Sequence, residues 1–274
     1  MNAVSKIDIE NVQRREDVLR ELNLYPLWQL RTPLVIATGQ VEIPAVEKDT
    51  NSVQVLPDKH DISADTEIDY TLLGWTELKK RVKTCTACAL RAGCMQTVFG
   101  MGDEKADWLF VGSWPTEDDE TQGQPFAGQS GQLLDNMLAA IKLKRGDNVY
   151  LANIVKCSGS IVRGPQADEI AQCLPYLTRQ IQLLQPKVIV ALGHAAATTL
   201  LAADKEWSSV LNKVHGYHFL ATDGSQLTIP LIITHHPAAL LLTPMNKAQA
   251  WRDLCLARDT MLKLLSAESS KIVI

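Results

Sequence analysis

The chain has 274 residues, 46% of them hydrophobic, and a net charge of −4. That is enough for one well-buried core with something extra, while the near-balanced charge excludes a protein that coats nucleic acid through bulk positive charge. The N-terminus is polar with no secretory core, no run approaches the roughly 20 apolar residues of a membrane helix, and the six cysteines then read as thiols or metal ligands rather than disulfides; the expected location is the cytoplasm.

Residues 1–33 read as a small unit of their own. A helix is expected over 12–24, with Val18, Leu19, Leu22 and Leu24 on one face, followed by an extended, proline-bounded piece over 25–33. Too short to enclose a core, this segment either packs on the main domain or docks on a partner. Leu22, Trp28, Leu30 and Arg31 are its candidate docking residues, because tryptophan and arginine suit an interface hot spot. Residues 34–69 have linker composition: one β-like piece over 34–41, then a polar stretch poor in aromatics.

From Tyr70 the pattern becomes regular. A helix over about 71–84 leads to Cys85 and Cys88. An apolar strand, 106–111, feeds the stretch GSWPTEDDETQGQPFAGQSGQLL, 112–134, and a helix over 130–144 follows with Ser130 as its N-cap. Strand 149–155 runs into Lys156-Cys157, and Pro165 opens a helix through Leu184 that carries Cys173. Strand 188–192 ends in Gly193-His194 before an alanine-rich helix to about 203. Strands near 217–221 and 231–234 lead to His235-His236-Pro237, and a long helix over 247–265 closes the domain. Strands separated by helices specify a three-layer α/β/α domain over 70–274, with a central, mostly parallel sheet.

The stretch 112–134 occupies the place where open α/β sheets bind ligands, a loop at the carboxyl end of a strand. Its glycines let backbone approach a bound group, its carboxylates (Glu117 to Glu120) could orient a water, and Phe126 could stack on a flat ligand. Taken alone it reads more simply as an acidic surface loop. Four thiols at element ends, Cys85, Cys88, Cys157 and Cys173, suit either zinc or an iron–sulfur cluster, and spacing does not choose between them. Cys94 and Cys255 read as small core residues, although Cys94 lies close enough in sequence to compete as a ligand.

A family resemblance comes from motifs that occur in a fixed order. They are Cys85-Thr86-Ala87-Cys88-Ala89-Leu90, Val98-Phe99-Gly100-Met101-Gly102, Gly112 and Pro115 with Gly123-x-Pro125-Phe126-Ala127-Gly128, and Asn153-Ile154-Val155-Lys156-Cys157. Cys173-Leu174-Pro175-Tyr176-Leu177, Val190-Ala191-Leu192-Gly193 and His236-Pro237-Ala238-Ala239-Leu240-Leu241 complete the set. On these, residues 80–265 resemble the family 4 uracil-DNA glycosylases. The resemblance implies the glycosylase fold and a [4Fe-4S] cluster held by Cys85, Cys88, Cys157 and Cys173. It also implies a pocket for a flipped uracil, with Phe126 stacking, Asn153 on the base edge and His236 near the developing charge.

Departures gather on the uracil and DNA face. Where the family has a glutamate and a small residue after the first glycine, this chain has Ser113 and Trp114, and an indole there could fill the base's space. The family's acidic pair falls at Asp119-Glu120, so Asp119 is the candidate to orient water. The arginine expected after the His-Pro motif is Leu242, which removes a phosphate or groove contact. The tail, through Leu22, Trp28, Leu30, Arg31 and Pro33, resembles the N-terminal tail of the psi subunit of the bacterial DNA polymerase III clamp loader. That resemblance implies clamp-loader subunits and a chi-like subunit as partners. The favoured expectation is therefore a psi-like accessory subunit on a retained scaffold with glycosylase activity reduced or lost. The alternative is an active family 4-type enzyme acting on uracil-containing DNA. A pocket filled by Trp114 argues for the first, and an indole swung aside argues for the second.

Overall fold

The computed structural model describes residues 69–158, 163–220 and 224–272, so the tail and residues 34–68 of the linker lie outside the described residues. A short 3-10 turn, Tyr70–Leu72, precedes helix α1, Trp75–Lys83. Strands β1 (Met101–Gly102) and β2 (Trp108–Gly112) follow, then helices α2 (Glu117–Gln122) and α3 (Gln129–Ala140) and strand β3 (Val149–Asn153). Helix α4 (Ala167–Leu184), β4 (Val188–Leu192), α5 (His194–Leu201) and the single turn α6 (Trp207–Val210) lead to a hairpin of β5 (Val214–Leu220) and β6 (Gln226–Thr234). Helices α7 (Pro237–Leu242) and α8 (Lys247–Ile272) complete the domain.

The six strands form one sheet in the order β1-β3-β2-β4-β6-β5. The four inner strands are parallel, and β1 and β5 are antiparallel edges. Each residue of β2, β3 and β4 is buried, which is why these strands read as unbroken apolar runs. Within β2 the faces alternate. Leu109 and Val111 pack with Leu177, Ile181 and Leu184 of α4 and Ala196, Ala197 and Leu200 of α5. Trp108 and Phe110 pack on the opposite face with Leu134, Met137 and Leu138 of α3 and Leu254, Ala257 and Met261 of α8. The three-layer architecture follows from this two-sided burial.

Several local expectations are corrected. Helix α3 is capped by Gly128 without a side-chain bond, and Ser130 lies inside it. Pro165 precedes α4, whose N-cap is Gln166 in a capping box with Glu169. The acidic stretch contains a helix, α2, which the periodicity of six polar residues does not reveal. Both hairpin strands start earlier than expected. Among the described residues no helix is long and apolar enough to cross a membrane.

Phe110 is fully buried and stacks on Trp108. Phe110→Ala is expected to lower stability by about 3–5 kcal/mol, read as a lower urea midpoint.

Candidate active site

The segments that follow β2, β3, β4 and β6 meet at the carboxyl edge of the parallel strands, the position at which doubly wound sheets take ligands. Gly112, last in β2, is in register with Asn153, last in β3. A side chain at 112 would run into Asn153 Oδ1 and the Phe126 ring, so the floor of the site is backbone flanked by an amide and an aromatic face. Asn153 is 2% exposed, and its Nδ2 is buried with no hydrogen-bond partner.

Phe126 is held against its own preference. Its φ of 58° is a left-handed conformation that a phenylalanine rarely adopts. Arg145 Nη1 donates to the Pro125 carbonyl at 2.8 Å and Nη2 to the Phe126 carbonyl at 3.0 Å, while Asp135 accepts from Arg145 Nε at 2.8 Å. Below, the Phe126 carbonyl rests so close to Gly131 that no Cβ fits there. Asp119 completes the clamp. Its Oδ1 accepts the Ala127 N–H at 2.7 Å and its Oδ2 accepts the Thr116 N–H at 3.0 Å, the latter as part of the α2 capping box.

The turn after β6 brings in His236, the N-cap of α7, whose ring lies 5.7 Å from that of Phe126. Gly193, at φ 90°, lets this turn approach: a Cβ there would lie 2.9 Å from the His236 Cβ. The Ala238 N–H donates to His236 Nδ1 at 3.2 Å, which places the proton of the neutral ring on Nε2. Burial pushes the imidazole pKa down to about 4, and the nearby Asp119 charge opposes that only in part.

Ser113 and Trp114 take different places. Ser113 is 9% exposed and its carbonyl accepts the Val155 N–H at 3.3 Å. Trp114 is 37% exposed, and its six-membered ring lies over Gly164. Among the described residues the ring paired with Phe126 is His236, not Trp114. The indole expected to fill the base's space is placed against Gly164. Leu242 is 86% exposed.

Cys85, Cys88, Cys157 and Cys173 line one small cavity with Arg91, Lys156 and Tyr176. Among the described residues no group of three His, Cys, Asp or Glu side chains is arranged around a single metal ion. The Lys156 N–H points at Cys173 Sγ, 3.3 Å away. Burial raises the Cys157 thiol pKa and pushes that of Cys173 up to about 11. Cys94 lies outside this lining, buried beside Cys157 and the Glu120 carboxylate.

Sequence reasoning missed Arg145 and Lys156. Lys156 is 1% exposed; its Nζ donates to the Asn153 carbonyl at 2.8 Å and to Gln180 Oε1 at 2.7 Å, tying the end of β3 to α4. Burial lowers its pKa to about 8. The signal for Lys156 was its place between Asn153 and Cys157; Arg145, in a turn remote from any motif, carried none.

Residues 99–256 match a family model described as the uracil DNA glycosylase superfamily. A Type-4 uracil-DNA glycosylase of Sulfurisphaera tokodaii is 36% identical over 168 residues, covering 61% of this chain and 76% of the relative. One from Pyrobaculum aerophilum is 34% identical over 180 residues, 66% and 91% of the two chains. One from Archaeoglobus fulgidus is 36% identical over 174 residues, 63% and 86%. These matches favour the enzyme expectation and lend no support to the psi-like one. Leu22, Trp28, Leu30 and Arg31 precede the segment matched by the family model and lie outside the described residues.

A histidine kept neutral by burial costs stability wherever the unfolded chain can protonate and the folded chain cannot. Between the ordinary histidine value near 6.5 and about 4, stability therefore falls as pH falls. From pH 7 to pH 5 the wild type is expected to lose about 1–2 kcal/mol more than His236→Gln, after allowance for the half-buried ring, read from urea midpoints at the two pH values.

Proposed function

Because the chain belongs to the uracil-DNA glycosylase superfamily, we propose that it is an active enzyme that hydrolyses the N-glycosidic bond of deoxyuridine in DNA. The observation that carries this reading is the Asn153 side chain, whose Oδ1 faces Gly112 next to the Phe126 ring and whose Nδ2 is buried without an acceptor. Uracil offers a carbonyl oxygen at C4, whereas cytosine offers an amino group there. A lone donor at that edge therefore accepts the first and repels the second. The flipped base stacks on Phe126, and Lys156 holds the backbone of Asn153 in place.

The chemistry asks for negative charge to be stabilised on the base as the C1′–N1 bond breaks and its electron pair leaves with N1. A neutral His236 with its proton on Nε2 donates to the base's O2 as that charge grows, an arrangement built in advance and sheltered from water. Asp119 retains acceptor capacity beyond its two backbone bonds and orients the water whose oxygen bonds to C1′, taking up its proton. Ser113, where the family has glutamate, leaves that task to Asp119. Trp114, lying over Gly164, stands at the rim as a stacking surface for a neighbouring nucleotide. With a net charge of −4, DNA contact rests on local features of this rim rather than on bulk charge.

Cys85, Cys88, Cys157 and Cys173 would hold a [4Fe-4S] cluster, which when bound supplies a four-point covalent staple between the segment after α1, the segment after β3, and α4. The accessory-subunit expectation, which rested on the tail's resemblance and on the departures at the DNA face, is set aside because the relatives are named as glycosylases and lend it no support.

The purified full-length protein is expected to release uracil from a single-stranded oligonucleotide carrying one deoxyuridine. Asp119→Ala and His236→Ala should each slow release by about 10²-fold or more. No release by wild-type protein with an intact cluster absorbance would overturn the reading.

A further inference from the structure

Helix α2, EDDETQ, has two buried residues, Asp119 and Glu120, and no apolar anchor. Its position is fixed by polar contacts, and its two buried carboxylates face different sites. Asp119 holds the backbone of Ala127, next to Phe126, and its charge acts on His236. Glu120, 4% exposed, faces the cysteine side. Its Oε2 accepts the Met95 N–H at 2.9 Å and its Oε1 accepts the Ser158 N–H at 2.8 Å. These are the residues that directly follow Cys94 and Cys157. The Cys94 thiol also bonds to this carboxylate and to Cys157, and the Gln96 side-chain amide donates to the Glu120 carbonyl.

We propose that Glu120 is a positioning residue which couples the base pocket to the cysteine cavity, so that the order of the cysteine segments sets the order of Asp119 and the Phe126 loop. A helix without apolar contacts has no independent seat. When the segment after Cys157 is stapled, Glu120 has a fixed donor to hold in the Ser158 N–H, beside the Met95 N–H, and the adjacent Asp119 is carried into place. When that segment loosens, both go. Glu120→Gln keeps the shape but turns an N–H toward one of the two backbone donors, breaking one grip while leaving every cysteine in place.

The test uses the full-length protein with its iron–sulfur load, the Glu120→Gln variant, and wild-type protein stripped of iron by oxidation and chelation. Visible absorbance per chain gives cluster content, and amide hydrogen exchange gives local order. Uracil release gives kcat and KM; only this kinetic arm rests on the glycosylase reading. Glu120→Gln is expected to keep the absorbance while exchange at Thr116 and Ala127 quickens about tenfold or more, with kcat falling by a similar factor and KM little changed. Stripped wild-type protein should show the same quickening at Thr116 and Ala127, with Phe110 and Ile189 in the sheet unaffected. Unchanged exchange at Thr116 and Ala127 in either sample would overturn the proposal, as would equal quickening throughout the sheet. If Glu120→Gln fails to load the cluster, the stripped wild type decides alone. If wild-type protein releases no uracil, the glycosylase reading fails and the exchange arm still decides the coupling.

Discussion

A buried amide donor with no acceptor costs about 1–3 kcal/mol, and β3 ends on one, Asn153 Nδ2. Folding tolerates that cost because the backbone around it is over-determined. Asn153 is fixed by parallel pairing with Gly112 and by the buried Lys156 ammonium on its carbonyl, which in turn rests on Gln180 of α4. The chain thereby holds the Asn153 amide in place with its donor unmatched by any described protein group. Beside it, Gly112 presents no side chain toward the amide oxygen and the Phe126 ring, and the His236 ring lies 5.7 Å from that of Phe126.

The loop that supplies the aromatic face is strained at Phe126, and strain of that kind persists only where neighbours enforce it. Arg145 grips two successive carbonyls, Asp119 grips the next N–H, and Gly131 leaves room beneath. Asp119 thus carries two loads, a backbone bond beside Phe126 and an electrostatic influence on His236. Its neighbour Glu120 carries the link to the cysteine segments. The pocket and the cysteine cavity share a short polar helix rather than an apolar interface.

Much of this architecture was legible from residue patterns. The apolar runs of β2, β3 and β4 announced a buried parallel sheet because both of its faces are covered. The ordered motifs at strand ends placed Gly112, Asn153, Cys157 and His236 at one edge. What the pattern did not reveal was polar structure. Helix α2 has no hydrophobic period, Gly128 rather than Ser130 caps α3, and Arg145 acts across 19 and 20 residues of chain. The direction of the Trp114 side chain was not legible either. A bulky residue in place of a small one suggests an occupied pocket, but side-chain direction depends on the backbone path after β2. That path turns the indole onto Gly164, a residue remote in sequence.

The most direct test of the account is the Asn153 side-chain amide itself, observed by nitrogen-resolved NMR in the full-length protein as uracil or cytosine is added. The account predicts that the Asn153 Nδ2 proton resonances shift with uracil and stay in place with cytosine. Equal response to both bases, or none to uracil, would contradict it.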